Sequence, residues 1–165
     1  MLKNMHTQRR KAFSLIELVI VVVIIGIIAA IAIPRMSRGA SGANDAAVSG
    51  NLAVLRKAID LYTAEHDNIA PTTDIIKQLT WHSKLDGTFI QTRVDGDAYI
   101  FGPYLKAIPP LTVGTVNKGQ SGIATSGTIG TAGTNGWWYD PATGDIKANC
   151  PDTELDAAGK KYNTY

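Results

Sequence analysis

Arg9-Arg10-Lys11-Ala12-Phe13-Ser14-Leu15-Ile16-Glu17-Leu18 leads straight into an apolar run, Leu18 to Ile33, with no polar side chain in sixteen residues. Three signals meet there: a basic cluster, a small residue at a candidate cut, and one carboxylate inside an apolar span. A secretory signal peptide carries its small-residue cleavage site after the apolar run and loses that run on cutting. Here the candidate site precedes the run, so cleavage between Ala12 and Phe13 leaves the hydrophobic segment on the mature protein. As a helix, Phe13 to Ile33 measures about 31 Å at roughly 1.5 Å per residue, enough to cross a bilayer core. Glu17 sets the segment apart from a plain single-pass anchor, which gains nothing from a carboxylate. An acidic residue at the centre of a span costs roughly 2.5–3.5 kcal/mol, and less near the interface. Glu17, one turn from Phe13, belongs near that interface.

Ala12-Phe13-Ser14-Leu15-Ile16-Glu17-Leu18 resembles the class III signal of type IV pilins and type II secretion pseudopilins. Counted from Phe13, the family's Glu, Gly and Pro fall on Glu17, Gly26 and Pro34, while the residue before the cut, usually Gly, is Ala12. The resemblance implies that a prepilin peptidase cuts before Phe13 and methylates its new amine. It implies that Glu17 then meets the amine of Phe13 on a neighbouring subunit. A carboxylate in lipid gains strongly from a cationic partner, so processing, which creates the amine, would switch on assembly. For Gly26 to Pro34 it implies a stretch that loses helicity as subunits pack. Read from the residues alone, the same stretch is equally a tolerated kink.

The first twelve residues hold Lys3, Arg9, Arg10 and Lys11 and no acid. The formal charge of +2 therefore belongs to this leader, and twelve basic residues face fourteen acidic ones in the remainder. A nearly neutral exported part lacks the basic face of a dedicated nucleic-acid binder, so no specific nucleic acid is expected as a partner. Positive charge before the span keeps the leader cytoplasmic and places everything after Pro34 outside. The expected organisation is a leader at 1–12, a transmembrane or filament-core helix at 13–34, a linker and amphipathic stem at 35–66, and a globular head at 67–165.

Residues 35–50 are small and polar, and read either as a loose turn or as a flexible continuation of the helix. From Asp45 the pattern sharpens: Val48, Leu52, Leu55, Ile59 and Tyr62 recur at helical spacing. A second stripe, Ala47, Val54, Ala58 and Leu61, lies beside it, with Arg56, Lys57 and Asp60 opposite. So wide a stripe predicts packing on a sheet, with neighbouring subunits on the other flank. His66 to Pro71 ends the helix, and Thr73 to Leu79 reads as a short helix capped by Thr73 or Asp74. Thr88–Val94, bracketed by Asp86-Gly87 and Asp95-Gly96, reads as a strand, and Ala98–Phe101 as a second. Residues 115–136, rich in Gly, Thr and Ser, form either a mobile surface loop or a functional one. Gly136–Tyr139, Asp140–Gly144 and Asp145–Asn149 read as strand, turn and strand. Adjacent Trp137 and Trp138 must point to opposite faces, one to the core and one as a candidate contact.

Gly102-Pro103-Tyr104-Leu105, followed by Ile108-Pro109-Pro110, resembles a segment of major pseudopilins. Physically it is also a rigid turn with a tyrosine buried against the stem helix. The family's Asp-Pro-Trp-Gly segment does not follow; Leu111-Thr112-Val113-Gly114 stands there instead.

No metal-protease helix, cysteine pair, phosphate-binding glycine loop or nucleophile elbow is present, and His6, His66 and His82 are scattered. An enzyme is not expected, and no cofactor is expected except calcium, which the resemblance to some pseudopilin heads leaves open. Asp140, Asp145 and Asp152 are its candidates, although they lack the spacing of a calcium loop and equally read as turn aspartates. Cys150 is single, so it either pairs between chains or is a buried inert thiol.

The sequence thus predicts an α+β, pilin-like chain: a long N-terminal helix packed on a small antiparallel sheet. The expected function is structural, foremost a major pseudopilin of a type II secretion system, with a type IV pilin for adhesion, motility or DNA uptake as the alternative. The expected partners are further copies of itself, the prepilin peptidase, an inner-membrane assembly platform, minor pseudopilins or pilins, and membrane lipid. The expected location is the bacterial inner membrane with a periplasmic head, then a filament. A membrane-tethered carbohydrate-binding module, with the two Trp and the loop lining a sugar site, is a third reading.

Overall fold

A computed structural model describes residues 13–92, 96 and 98–165, with backbone alone for 34–38. The expected leader at 1–12, including Ala12 of the expected cut, lies outside the described residues, as does the Arg93–Val94 end of the strand expected at 88–94. The elements are α1 (Leu15–Glu65), α2 (Ile75–Thr80), β1 (His82–Ser83), β2 (Phe89–Ile90), β3 (Gly122–Ala124), β4 (Asn135–Asp140), β5 (Asp145–Ala148) and a terminal 3-10 turn, Tyr162–Thr164. The fold class is α+β, as the sequence predicts. The chain divides into two compact units, Met1–Ala40 and Ser41–Tyr165.

Helix α1 decides between the two readings of residues 35–50: the backbone stays helical through Gly26, Pro34 and the glycines at 39, 42 and 50. The helix ends where Asp67 and Asn68 adopt positive φ, at 51° and 64°. Asp and Asn tolerate the left-handed region better than other residues with a Cβ. The turned backbone lets Asn68 N–H reach Thr63 O at 2.9 Å and satisfy a carbonyl the helix end would leave open.

In the Ser41–Tyr165 unit, Val48, Leu52, Leu55, Ile59 and Tyr62 are all buried, the stripe read from spacing. They pack in one core with Ile75 and Leu79 of α2, Leu111, Trp137 and Tyr139 of β4, and Ile146 of β5. The second stripe splits: Ala58 is buried, whereas Val54 and Leu61 are exposed. Arg56 departs from the solvated position expected of it. Its guanidinium reaches back to donate to Ile146 O at 3.2 Å and Tyr165 O at 2.5 Å.

β4 and β5 form the predicted hairpin, antiparallel from Trp137↔Ala148 to Asp140↔Asp145. β3 lies on the other side of β4, and that pair is parallel. It arises inside the Gly/Thr/Ser stretch expected to be a loop, where polarity hides a strand signal. The stretch is clamped by two buried asparagines. Asn117 donates to Thr131 O and Asn149 O and accepts from Gly133 N, while Asn149 donates to Asn135 O and accepts from Gly130 N. Both the nitrogen and the oxygen of each side-chain amide find a partner, so burial costs little. Gly136 allows the close approach, because a Cβ there would collide with Gln120 O.

α2 starts two residues later than Thr73; Asp74 holds the N-cap position but makes no side-chain bond to the helix backbone, its carboxylate pairing with Lys77 at 3.4 Å instead. β1 and β2 form a separate antiparallel pair, shorter than the strand expected from Thr88. Residues 98–101 supply only the single bridge Ser83↔Phe101. The run is too short to make a ladder of its own and borrows partners from β1.

Candidate functional site

The N-terminal site is built from Phe13, Ser14 and Glu17. Ser14-Leu15-Ile16-Glu17 has the spacing of a capping box, and the Ser14 N–H donates to Glu17 Oε2 at 3.1 Å. Glu17 thereby satisfies one of the open donors at the start of α1, and its charge suits the positive helix end. The sequence reading missed this local role, although the S-x-x-E spacing was visible. Phe13 lies just before the helix and is 83 % exposed. Leu15–Ile33 is apolar and long enough to cross a membrane, and none of it is buried.

The head motif is a clamp at the other end of α1. Gly102 sits at φ 70°, where a Cβ would come within 2.7 Å of Trp81 O, so the position demands glycine. The Gly102–Pro103 peptide bond is cis. Tyr104 and Leu105 both donate backbone N–H bonds to Leu79 O at 2.9 Å, fixing the motif to the end of α2. The Tyr104 hydroxyl donates to Glu65 Oε2 at 2.6 Å, and its ring meets Tyr62 edge-on at 5.7 Å. Burial, and then the bond to the Glu65 carboxylate, push the Tyr104 phenol up. The tyrosine thus lies against the stem helix, as the turn reading expects, but half-buried and not buried, because its hydroxyl reaches out to the exposed Glu65 carboxylate.

Behind it, His66 stacks on Tyr62 at 3.8 Å and 7°. His66 Nδ1 lies 2.7 Å from Tyr62 O and Nε2 lies 3.0 Å from Ser83 Oγ. The carbonyl can only accept, so Nδ1 donates, and in the neutral ring Nε2 accepts the Ser83 hydroxyl. His66 and Ser83 are both buried, so the pair is a structural tie and offers no accessible nucleophile. At the far end of the unit, Asp45 accepts from the Tyr162 hydroxyl at 2.6 Å and Ala157 N at 3.3 Å. Sequence reasoning missed Asp45 and Glu65, since both partners lie far along the chain.

The calcium candidates are each engaged within the chain. Asp140 Oδ1 accepts from Ala142 N at 2.9 Å, Asp145 pairs with Lys147 at 2.9 Å, and Asp152 takes Lys161 at 2.6 Å and Asn163 at 2.8 Å. Lys161 and then Asn163 hold Asp152 below the usual carboxylate range. Asp140 and Asp145 are cross-strand partners, but among the described residues no group of three or more His, Cys, Asp or Glu is placed to hold a metal ion.

Cys150 is buried, and burial, then Glu154, push its thiol up to about 12, which fits the inert reading. Trp137 is the inward member of its pair, with Nε1 donating to Pro109 O at 2.8 Å. Trp138 is half-buried, and its Nε1, hidden from solvent, has no partner among the described residues.

Residues 7–33 match the family described as the prokaryotic N-terminal methylation motif. No curated protein and no solved structure matches the chain. With an apolar α1 segment that begins directly after Phe13 and Ser14, the chain carries the N-terminal signal of pilin-like and pseudopilin proteins.

Proposed function

We propose that this protein is a structural filament subunit, foremost the major pseudopilin of a type II secretion system. The observation that carries the filament reading is the methylation motif with Glu17 inside its apolar helix. A cut between Ala12 and Phe13 adds water across one amide and leaves a free α-amine on Phe13. The peptidase then moves a methyl group onto that nitrogen from a sulfonium methyl donor, whose S–CH3 bond breaks to leave a thioether. The resulting secondary amine is still a base that can carry positive charge. Glu17 already accepts a bond from its own Ser14 N–H. A carboxylate in lipid is better satisfied by a full positive charge, so the amine of a neighbouring subunit competes for it. Assembly then follows processing. The leader stays cytoplasmic, the apolar helix spans the inner membrane, and the head enters the periplasm.

The clamp around Gly102–Leu105 favours the secretion version, since it gives that resemblance a built role in locking the head to α1. The segment Leu111–Gly114, where major pseudopilins carry Asp-Pro-Trp-Gly, favours the alternative, a type IV pilin. Proteomics of culture supernatants from the parent, a clean deletion and a complemented strain distinguishes them. Selective loss of several folded exoproteins, restored by the gene, is the expected result. An unchanged secretome moves the assignment to a surface pilus.

A further inference from the structure

Residues 151–165 follow β5 and differ in kind from the core beside them. Among these described residues Tyr162 alone is buried, while Thr153, Leu155 and 157–161 are exposed. Hydrogen bonds, more than apolar burial, hold the segment, and many of them are internal. Asp152 takes Lys161 at 2.6 Å and Asn163 at 2.8 Å, and Leu155 and Lys161 form an antiparallel bridge. Asp156 accepts from the amides of Ala158 and Lys160 at 2.8 Å and from the Tyr165 hydroxyl.

The ties to the rest of the unit centre on two charged residues of α1, about three turns apart. Asp45 uses both carboxylate oxygens, one for the Tyr162 hydroxyl at 2.6 Å and one for Ala157 N at 3.3 Å. Burial, and then Asp45, push the Tyr162 phenol up. Arg56 donates to Tyr165 O at 2.5 Å and to Ile146 O at 3.2 Å, joining helix, segment and β5. Glu154 Oε1 adds a further tie, accepting from the Thr115 amide at 2.6 Å and hydroxyl at 2.5 Å. Its Oε2, hidden from solvent, lies against Cys150 Sγ. The 3-10 turn packs on β5, an edge strand of its sheet. Open main-chain groups on such an edge are a template for another chain, so covering it protects it.

We propose that residues 151–165 form a strap, latched to α1 by Asp45 and Arg56, that shields Cys150 and the β5 edge and opens as one unit ahead of the core. Segments with few buried apolar contacts open at the lowest free energy, and the strap has few. β4 and β5, by contrast, carry Trp137, Tyr139 and Ile146 fully buried. The internal bonds make the strap move as one piece. Asp45 is its catch, because losing that carboxylate releases Ala157 and Tyr162 together.

The test uses the full chain in detergent, with maleimide labelling of Cys150 and amide exchange both read by mass spectrometry. In the wild type, amides of 151–165 are expected to exchange well before those of β4 and β5. Asp45→Ala removes two bonds to a charged acceptor. It should speed labelling about tenfold to a hundredfold and strip protection from 151–165, with β4 and β5 unchanged. Leu79→Ala, in the core, should do the reverse. Protection lost from both segments together in Asp45→Ala, or from neither, overturns the strap. Labelling raised equally by the two variants ties Cys150 to global unfolding and overturns it too. Faster exchange of 151–165 with unchanged labelling overturns the shielding of Cys150. Should Asp45→Ala not fold, Tyr162→Phe removes one hydroxyl and is expected to give the same pattern with a several-fold effect. A Tyr162→Phe effect that spreads into β4 and β5, or none at all, overturns the proposal equally.

Discussion

Leu15–Ile33 and Val48–Tyr62 are stretches of one helix, yet they use apolar residues in opposite ways. The first exposes aliphatic side chains all round: Leu18, Ile24, Ile28 and Ile31 are each more than half exposed. The second concentrates burial on one stripe, where Val48 and Leu55 are fully buried and Val54, between them in sequence, is half exposed. A helix apolar on every face needs an apolar medium or many partners, whereas a striped one needs a single surface. Helical hydrogen bonding is the same in both. Surroundings decide what each residue contributes.

The largest expected effect comes from Glu17→Val. Removing one member of a buried charge pair costs about 3–5 kcal/mol, so filament yield should fall several-hundred-fold while the melting curve of detergent-solubilised protein stays put. Filaments at normal yield would remove Glu17 from assembly. Leu52→Ala, in the buried stripe, should cost about 2–5 kcal/mol in a denaturant titration of the full chain in detergent, and Ile24→Ala close to nothing. Equal losses would erase the contrast between the two stretches.

A smaller effect concerns alkaline pH. Burial, then Asp140, push Tyr139 up to about 12, and its hydroxyl donates to Pro71 O at 2.9 Å. A folded-state value above the unfolded one, about 10, means this contribution is complete below pH 10 and is lost as pH rises towards 12. The melting temperature should therefore drop between about pH 10 and 12, and Tyr139→Phe should flatten part of that slope. A level profile would contradict the burial of Tyr139. Smallest of all, Val54→Ser should change monomer stability by no more than about 0.5 kcal/mol, because the side chain faces outward. A loss comparable with Leu52→Ala would show that the outer stripe is also packed.

The same contrast explains what could be read in advance. Both α1 stretches and the β4–β5 hairpin were legible because their signals are local: an uninterrupted apolar run, a recurrence at three and four, an alternation around a turn. β3 was not, since Gly122-Ile123-Ala124 carries no pattern and becomes a strand only by lying beside Trp137 and Trp138. The motif at Gly102–Leu105 was found as a string of letters. Its action on Glu65 needs two segments 39 residues apart to meet. The calcium candidates Asp140, Asp145 and Asp152 were found by closeness in sequence, whereas their separate partners appear only in the fold.

By itself the sequence determined the order of charge, candidate cut and apolar span, the carboxylate at Glu17, and which face of residues 48–62 turns inward, because each is a property of neighbours along one chain. Only the tertiary structure decided that residues 35–50 continue the helix, that Asn117 and Asn149 clamp the glycine-rich stretch, and that the Tyr104 hydroxyl meets Glu65. Those outcomes depend on which distant segments exclude water together, and burial is a property of the assembled surface, not of any one stretch.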